Sequence, residues 1–271
     1  MNSKIGFIGC GNMGKAMVGA LVESSSIKNH HIMVSTRTEK SLNELQNKWD
    51  VRTTLSNKEV ALFADILVIA VKPNSYKEIV MEIRDLVSEE QVVVLIAAGI
   101  TLEQVEGWFN KKTKIVKTMP NTPALVNAGM SAICPNAHLS EHDLQEVCYL
   151  FSLFGEYELL EEEDFHAFIA LCGSSPAYIF ILIEAMADAA VKLGLPRSKA
   201  YRMAEQSVLG SAKMALETGL HPAELKDMVC SPGGSTIAAV AELERHGFRS
   251  AMIHAMEVCA DKSRKMQEET K

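Results

Sequence analysis

Residues 5–14 read Ile5-Gly6-Phe7-Ile8-Gly9-Cys10-Gly11-Asn12-Met13-Gly14, and this stretch decides the fold. Its first half predicts a strand, and its glycines follow the G-x-G-x-x-G pattern immediately before a helical pattern. In that setting Gly9 allows a tight turn, Gly11 lets the backbone approach a pyrophosphate, and Gly14 lets the helix pack close to the strand. A helix N-terminus also offers free N–H groups to phosphates. We therefore predict that this loop, including Asn12 and Met13, binds the pyrophosphate of a dinucleotide.

Two alternatives fit the same glycines. Gly9–Lys15 also matches the GxxxxGK pattern of a P-loop, but the next residue is Ala16 instead of the Ser or Thr whose hydroxyl binds Mg²⁺. The other alternative is a purely structural turn. The position of the loop between a strand and a helix favours the dinucleotide site over both.

Around this loop, short β-rich runs alternate with helical patterns through residues 1–162, which predicts βαβ units and a parallel sheet. Residues 163–271 carry only helical patterns. We predict an α/β fold, with a Rossmann-type doubly wound parallel-sheet domain at 1–162 and an all-helical domain at 163–271. The predicted strands are Lys4–Ile8, His31–Ser35, Asp65–Val71, Gln91–Ala97, Lys114–Thr118, Ser131–Cys134 and Glu156–Leu160.

The end of the second strand indicates the type of dinucleotide. NAD-binding folds usually place Asp or Glu there to bind the ribose 2′-hydroxyl, whereas this chain has Ser35, Thr36 and Arg37. Two hydroxyls and an arginine suit a 2′-phosphate, so we favour NADPH over NADH and assign these three residues to the cofactor. The alternative is a solvated helix start that is capped by Thr38, and both interpretations can hold together.

Further candidate residues follow the later strands. Ligands of open parallel sheets bind beyond the carboxyl ends of the strands, and three successive strands here end in special turn residues. The residues that we assign to the cofactor on this basis are Ala70, Val71, Lys72, Pro73, Ala98, Gly99 and Asn121.

The composition excludes several classes of protein. The 271 residues are 48% hydrophobic and 23% charged, with a net charge of −7, which is typical of a soluble globular protein and argues against nucleic-acid binding. The six cysteines are scattered along the chain and form no CxxC pair, so we predict no metal. The sequence begins without a signal-peptide pattern, and Glu184, Asp188 and Lys192 interrupt the apolar stretch Pro176–Leu195. We therefore expect no membrane span and a cytoplasmic location.

The helix predicted from Ala177 is apolar around most of its circumference, as in Ile179, Phe180 and Ile181. Such a helix must be buried on all sides. The helical half can hardly bury it alone, which favours a partner subunit. The alternative is the central helix of a single bundle.

Five segments occur in an order that is typical of one family. They are residues 5–14, Ala70-Val71-Lys72-Pro73, Met119-Pro120-Asn121-Thr122-Pro123, Gly173-Ser174-Ser175-Pro176-Ala177-Tyr178, and the stretch from Pro222 to Glu244 that contains Ser231-Pro232-Gly233-Gly234-Ser235-Thr236. Over essentially its whole length, the chain resembles the pyrroline-5-carboxylate reductases. Many dehydrogenases share the glycine loop, whereas the Ser231–Thr236 segment is much more specific.

The resemblance implies a hydride transfer from NAD(P)H to the C=N bond of 1-pyrroline-5-carboxylate, which gives L-proline in the last step of its biosynthesis. It implies an oxidoreductase of the class that acts on CH–NH donors. It further implies a helical dimerisation domain, intertwined dimers and in some members decamers, and a contact of Asn57 with the adenosine half of the cofactor. The substrate pocket of the family lies beside the cofactor at the segment that corresponds to Ser231–Thr236.

The residues of that segment suit a substrate carboxylate. Backbone N–H groups and hydroxyls before a helix form an anion cradle, and glycines permit a close approach. The alternative is an elaborate helix cap made by Ser235 or Thr236, and the family resemblance favours substrate binding. The predicted substrate residues are Ser231, Gly233, Gly234, Ser235 and Thr236.

Thr236 and Lys72 are the two candidate catalytic residues. Thr236 can bind the imine nitrogen and relay a proton. Lys72 is the alternative proton donor, since related hydroxyacid dehydrogenases use a lysine, although it can equally contact a cofactor phosphate or ribose.

Two other functions use the same domain plan. A β-hydroxyacid-type dehydrogenase would need a lysine in the first long helix of the helical half, where this chain has Ser174-Ser175-Pro176-Ala177. A regulatory paralogue that binds the nucleotide without turnover would carry a damaged Ser231–Thr236 segment, and here that segment is intact.

Overall fold

The computed structural model describes residues 3–109 and 111–269. Its sheet contains eight strands, in the order β3-β2-β1-β4-β5-β6-β7-β8. Because the chain leaves β1 first on one side and then on the other, the sheet is doubly wound, and the Rossmann-type fold is confirmed. The strands are β1 Ile5–Ile8, β2 Ile32–Ser35, β3 Arg52–Thr54, β4 Ile66–Ile69, β5 Val92–Leu95, β6 Lys114–Pro120, β7 Gly129–Pro135 and β8 Gly155–Leu159.

Helices cover both faces of this sheet. They are α1 Asn12–Glu23, α2 Glu39–Trp49, α3 Asn57–Phe63, α4 Tyr76–Ile83, α5 Leu102–Phe109, α6 Glu141–Ser152 and α7 Phe165–Phe168. Alternate strand residues pack into two separate cores: Phe7 and Val68 lie with α1 and α6, whereas Ile8 and Ile69 lie with α3 and α4. Two covered faces explain why the central strands read as unbroken apolar runs.

Three local features differ from the sequence-based expectation. The strand β3 and the helix α3 were not expected, because Arg52–Thr54 is short and polar and the helix has only seven residues. The pair β6–β7 is antiparallel, whereas all other neighbours are parallel. Its connection is a short 3-10 turn, Thr122–Val126, and a parallel crossover would need a dozen or more residues.

The acidic run at residues 161–164 contains one residue with a structural role, Glu162. Glu162 Oε1 accepts hydrogen bonds from Lys117 Nζ at 2.7 Å and from the Leu102 backbone N at 3.0 Å. The Lys117 side chain is only 4% exposed, and its Nζ also lies 4.8 Å from the centroid of the Phe165 ring. A lysine buried in a sheet needs a charged partner, which explains the position of Glu162.

The described chain divides into two compact units. The first runs to Ser174 and includes the residues from Cys259 onward, and the second is Ser175–Val258. The domain limits expected from the sequence, 1–162 and 163–271, stay a prediction. The remaining helices are α8 Ser175–Lys192, α9 Arg197–Thr218, α10 Pro222–Met228, α11 Ser235–Arg245 and α12 Phe248–Glu269.

The helical unit leaves much apolar surface uncovered in the single chain. In α8, which is described throughout, Ala187 is the only buried residue. By length and composition, the helical stretch Glu162–Lys192 is apolar enough to cross a membrane, despite the charges that led us to expect otherwise. A helix that is covered by a partner has the same composition, and exposed patches of this size mark interaction surfaces. The most exposed apolar side chains of the unit include Phe180, Ile181, Leu193, Leu209, Leu216, Met228 and Val229.

Candidate functional site

The turn after β1 depends on Gly9. Its φ is +83°, and a Cβ there would lie 2.7 Å from Val71 Cγ1 and 2.8 Å from the Ala70 carbonyl oxygen. Its backbone N donates a hydrogen bond to the Ser35 carbonyl at 3.1 Å. The ends of β1, β2 and β4 therefore meet at a position that only glycine can occupy.

Gly11 and Gly14, the two later glycines of the loop, differ in the space around them. A Cβ on Gly14 would lie 3.4 Å from Ala70 Cβ, whereas a Cβ on Gly11 would enter open space. Among the described residues no side chain caps α1, which starts after Gly11 and has no acidic residue in its first turn. The N–H groups of Asn12, Met13 and Gly14 thus face an open space with a positive helix dipole, which fits a pyrophosphate.

Cys10 lies inside the same loop. Burial raises the pKa of its thiol to about 12, against the opposing effect of Lys15. The thiol is therefore neutral at physiological pH and adds no negative charge beside the N-terminus of α1.

A hydrogen-bonded network lies at the end of β2. The Ser35 hydroxyl is buried and donates to Asn57 Oδ1 at 2.8 Å, and Asn57 Nδ2 donates to Glu82 Oε2 at 2.8 Å. Arg37 is exposed and forms no ion pair within the described part of the chain. The Thr36 hydroxyl donates a hydrogen bond to the Thr38 backbone carbonyl at 3.1 Å.

The predicted cap at Thr38 is confirmed. Its side chain accepts a hydrogen bond from the Ser41 backbone N at 3.3 Å, at the start of α2. The cap uses only the Thr38 side chain, so the Arg37 guanidinium does not take part in it. A helix cap at Thr38 and a 2′-phosphate contact at Arg37 are therefore compatible.

The ends of β4 and β5 are joined by a residue that the sequence did not reveal. Tyr76 is completely buried; its hydroxyl donates to the Ile69 carbonyl and accepts from the Ile96 backbone N at 3.1 Å. Burial raises the pKa of Tyr76 well above its ordinary value, so the hydroxyl keeps its proton. It fixes the strand ends that lead into Lys72 and Gly99. The only local signal is a tyrosine at the first position of a helix.

The predicted residues at these strand ends take ordinary turn positions. Lys72 is exposed and precedes the 3-10 turn Pro73–Ser75, without an ion pair in the ranges that the structure covers. Gly99 has a φ of +80°, so the turn after β5 requires glycine. Ala70 and Val71 are the neighbours that exclude a side chain at position 9.

Asn121 is buried, and both ends of its amide are occupied. Its Nδ2 donates to the Cys172 carbonyl at 2.9 Å, and its Oδ1 accepts from the Met130 backbone N at 2.9 Å. The side chain thus holds the β6–β7 connection in place. A contact with the cofactor stays a prediction for this residue.

The second glycine-containing segment lies before α11. Gly233 has a φ of +71°, and the Gly234 N donates to the Ser231 carbonyl at 3.0 Å. The helix starts at Ser235 after Gly234, and in the described chain no side chain caps it. The interpretation of Ser235 or Thr236 as the helix cap is therefore wrong. Both side chains lie in the first turn and are exposed, beside free backbone N–H groups.

Metal ligands do not cluster in either unit. Across residues 3–109 and 111–269, no group of three or more His, Cys, Asp or Glu side chains is placed to hold a metal ion. The expectation that the chain needs no metal stays a prediction.

Two family models match different parts of the chain. The model described as NADP oxidoreductase, coenzyme F420-dependent, matches residues 4–99, and the model described as pyrroline-5-carboxylate reductase dimerisation matches residues 162–266. The first match contains the glycine loop and the β2 network. The second contains α8 and the segment before α11.

Curated relatives match almost end to end. The pyrroline-5-carboxylate reductase of Escherichia coli is 49% identical over 98% of this chain and 99% of its own length. That of Methanosarcina acetivorans is 39% identical over 98% of each.

Solved structures agree with these relatives. A pyrroline-5-carboxylate reductase from Coxiella burnetii superposes with a TM-score of 0.93 at 35% identity, covering 98% of this chain and 99% of that chain. The Plasmodium falciparum pyrroline carboxylate reductase, solved with NADP bound, has a TM-score of 0.89 at 30% identity and covers 98% of each chain.

The buried hydroxyl of Tyr76 gives a test of how the strand ends are held. We expect Tyr76→Phe to lower the free energy of unfolding by about 1–3 kcal/mol, because the Ile69 carbonyl and the Ile96 N–H lose their shared hydrogen-bond partner. Urea unfolding at a fixed protein concentration measures the change. Tyr149→Phe is the matched control, since Tyr149 is 43% exposed. Equal stability of the two variants would contradict the role of Tyr76.

Proposed function

This chain belongs to the pyrroline-5-carboxylate reductase family, and on that basis we propose that it reduces 1-pyrroline-5-carboxylate to L-proline, the last step of proline biosynthesis. The observation that carries the proposal is 49% identity to a named relative over 98% of the chain. The protein is an oxidoreductase that depends on a nicotinamide nucleotide.

The cofactor site supports NADPH as the preferred donor, with NADH as a possible second. The uncapped N-terminus of α1 and the open space at Gly11 fit the pyrophosphate. Arg37 is exposed, and the turn after β2 carries no carboxylate, which suits a 2′-phosphate. The other residues that we assign to the cofactor are Gly9, Asn12, Met13, Gly14, Ser35, Thr36, Asn57, Ala70, Val71, Lys72, Pro73, Ala98, Gly99 and Asn121.

The segment before α11 is the proposed carboxylate cradle. Gly233 adopts a positive φ, so the backbone turns sharply and the N–H groups at the start of α11 stay open. Ser231, Ser235 and Thr236 are exposed hydroxyls on the same segment, and Gly234 adds no side chain that would shield its backbone. N–H groups and hydroxyls of this kind bind a carboxylate with charge-assisted hydrogen bonds.

The reaction depends more on the correct position of the substrate than on strong acid catalysis. A protonated cyclic imine is already electrophilic, so the protein must mainly orient it and hold its carboxylate. When bound, the reduced nicotinamide supplies the hydride. The Thr236 hydroxyl is the proposed hydrogen-bond partner of the imine nitrogen: it donates to the neutral imine, and its oxygen accepts the N–H of the protonated imine. Lys72, an exposed residue at the end of β4, is the second candidate for moving the proton.

Self-association follows from the dimerisation domain and from the uncovered helical unit. An intertwined dimer is the arrangement that we propose, since it would cover the apolar circumference of α8. A decamer built from such dimers is the larger alternative. We further propose a cytoplasmic location, with α8 covered by protein and not by lipid.

The proposed function predicts turnover with either cofactor. We expect the purified protein to oxidise NADPH in the presence of racemic 1-pyrroline-5-carboxylate, and NADH with a lower kcat/KM, because no carboxylate follows β2. Absorbance of the reduced cofactor measures the rate, and omission of the imine is the control. No turnover with either cofactor would overturn the proposal.

Thr236 gives a test of the substrate site. We expect Thr236→Ala to lower kcat/KM by about 1–3 kcal/mol, or about 5- to 150-fold, because a hydrogen bond to a charged group is lost in the transition state. Steady-state kinetics with saturating cofactor measure the change. Thr236→Ser keeps the hydroxyl and should retain most of the activity. Unchanged kinetics of the alanine variant would remove Thr236 from the mechanism.

A further inference from the structure

Three side chains form a continuous hydrogen-bonded row that leads away from the end of β2. Ser35 Oγ lies 2.8 Å from Asn57 Oδ1, and Asn57 Nδ2 lies 2.8 Å from Glu82 Oε2. Ser35 is the last residue of β2, Asn57 is the first residue of α3, and Glu82 belongs to α4. Three elements thus contribute one polar group each to a single network.

Glu82 sets the direction of the hydrogen bonds in this network. An ionised carboxylate only accepts hydrogen bonds, so Asn57 must turn its NH₂ group toward Glu82 and its carbonyl oxygen toward Ser35. The Ser35 hydroxyl must then donate. Without the carboxylate the amide could face either way, so Glu82 sets the orientation of Asn57.

The network lies where a Rossmann fold distinguishes its dinucleotides. The backbone carbonyl of Ser35 accepts the hydrogen bond of Gly9 N at 3.1 Å, so this strand end is directly beside the pyrophosphate loop. In NAD-binding folds an Asp or Glu of the second strand occupies the ribose position. Here the second strand offers none, and α4 brings a carboxylate to the same network through Asn57.

We propose that Glu82 is a specificity-determining positioning residue that limits the preference for NADPH over NADH. Its negative charge repels a ribose 2′-phosphate, and its hold on Asn57 fixes which amide atoms face the ribose. Arg37 acts in the opposite sense, because its exposed guanidinium attracts the phosphate. The balance of these two charges then decides how well each cofactor binds. The inference rests on the proposed function, since it concerns the cofactor of that reaction.

Glu82→Gln removes the charge of the side chain and keeps its size. The substitution keeps a hydrogen-bond partner for Asn57 but removes the charge, and a glutamine amide can also donate, so Asn57 is no longer held in one orientation. For a surface charge that is partly screened by salt, we expect the preference for the 2′-phosphate to rise by about two- to fivefold.

Binding of cofactor fragments measures the preference for the 2′-phosphate without turnover. Isothermal titration calorimetry measures the Kd of 2′-phospho-ADP-ribose and of ADP-ribose for the wild type, Glu82→Gln and Glu89→Gln. Glu89 is the matched control, because it is exposed, carries the same charge, and forms no ion pair or hydrogen bond with the residues that the structure describes. We expect the ratio of the two Kd values to change in Glu82→Gln only. An equal ratio in all three proteins, or an equal change in both variants, would overturn the proposal.

Kinetics provide a second readout. In Glu82→Gln we expect KM for NADPH to fall relative to KM for NADH, while kcat stays the same with both, since a general loss of structure would lower kcat as well. Glu82→Ala also removes the charge and must shift the ratio in the same direction; a shift in the opposite direction would overturn the proposal. Absence of turnover in the wild type would instead count against the proposed function, because fragment binding does not depend on it.

Discussion

The close approach of Gly9 to the end of β4 is the constraint on which the cofactor site depends. No side chain fits between Gly9, Ala70 and Val71, and the Gly9 N–H is bonded to the carbonyl of Ser35. These contacts close the carboxyl edge of the sheet with backbone atoms. The adjoining N–H groups of α1 and the Ser35–Asn57 hydrogen bond consequently lie at this edge.

The two units share one local feature, an uncapped helix start after a glycine. Both α1 and α11 begin after a glycine, carry no acidic residue in the first turn and receive no side-chain cap from the described residues. A capped helix would satisfy its own N–H groups, whereas an uncapped one keeps them for a ligand. In α11 the positive φ of Gly233 adds a sharp turn, and the neighbouring hydroxyls increase the number of donors.

The parts of the structure that depend on local patterns were predictable from the sequence. Apolar runs such as Ile66–Ile69 and Val92–Leu95 identified the central strands, and Thr38 correctly indicated the start of α2. Features that depend on distant partners were not. Nothing beside Glu82 in the sequence indicates a bond to Asn57, and the antiparallel pair β6–β7 follows from the length of one connection. The residues alone left the start of α11 open between an anion cradle and a helix cap, because Ser235 and Thr236 are themselves good capping residues.

The central claim is that this chain directs a hydride from a reduced nicotinamide to the imine carbon of 1-pyrroline-5-carboxylate. The most direct test uses NADPH carrying two deuterium atoms at C4 of the nicotinamide, with NMR and mass spectrometry of the product. The account predicts L-proline with one deuterium atom on the ring carbon that was double-bonded to nitrogen. Proline without deuterium at that carbon, or cofactor oxidation without proline, would contradict it.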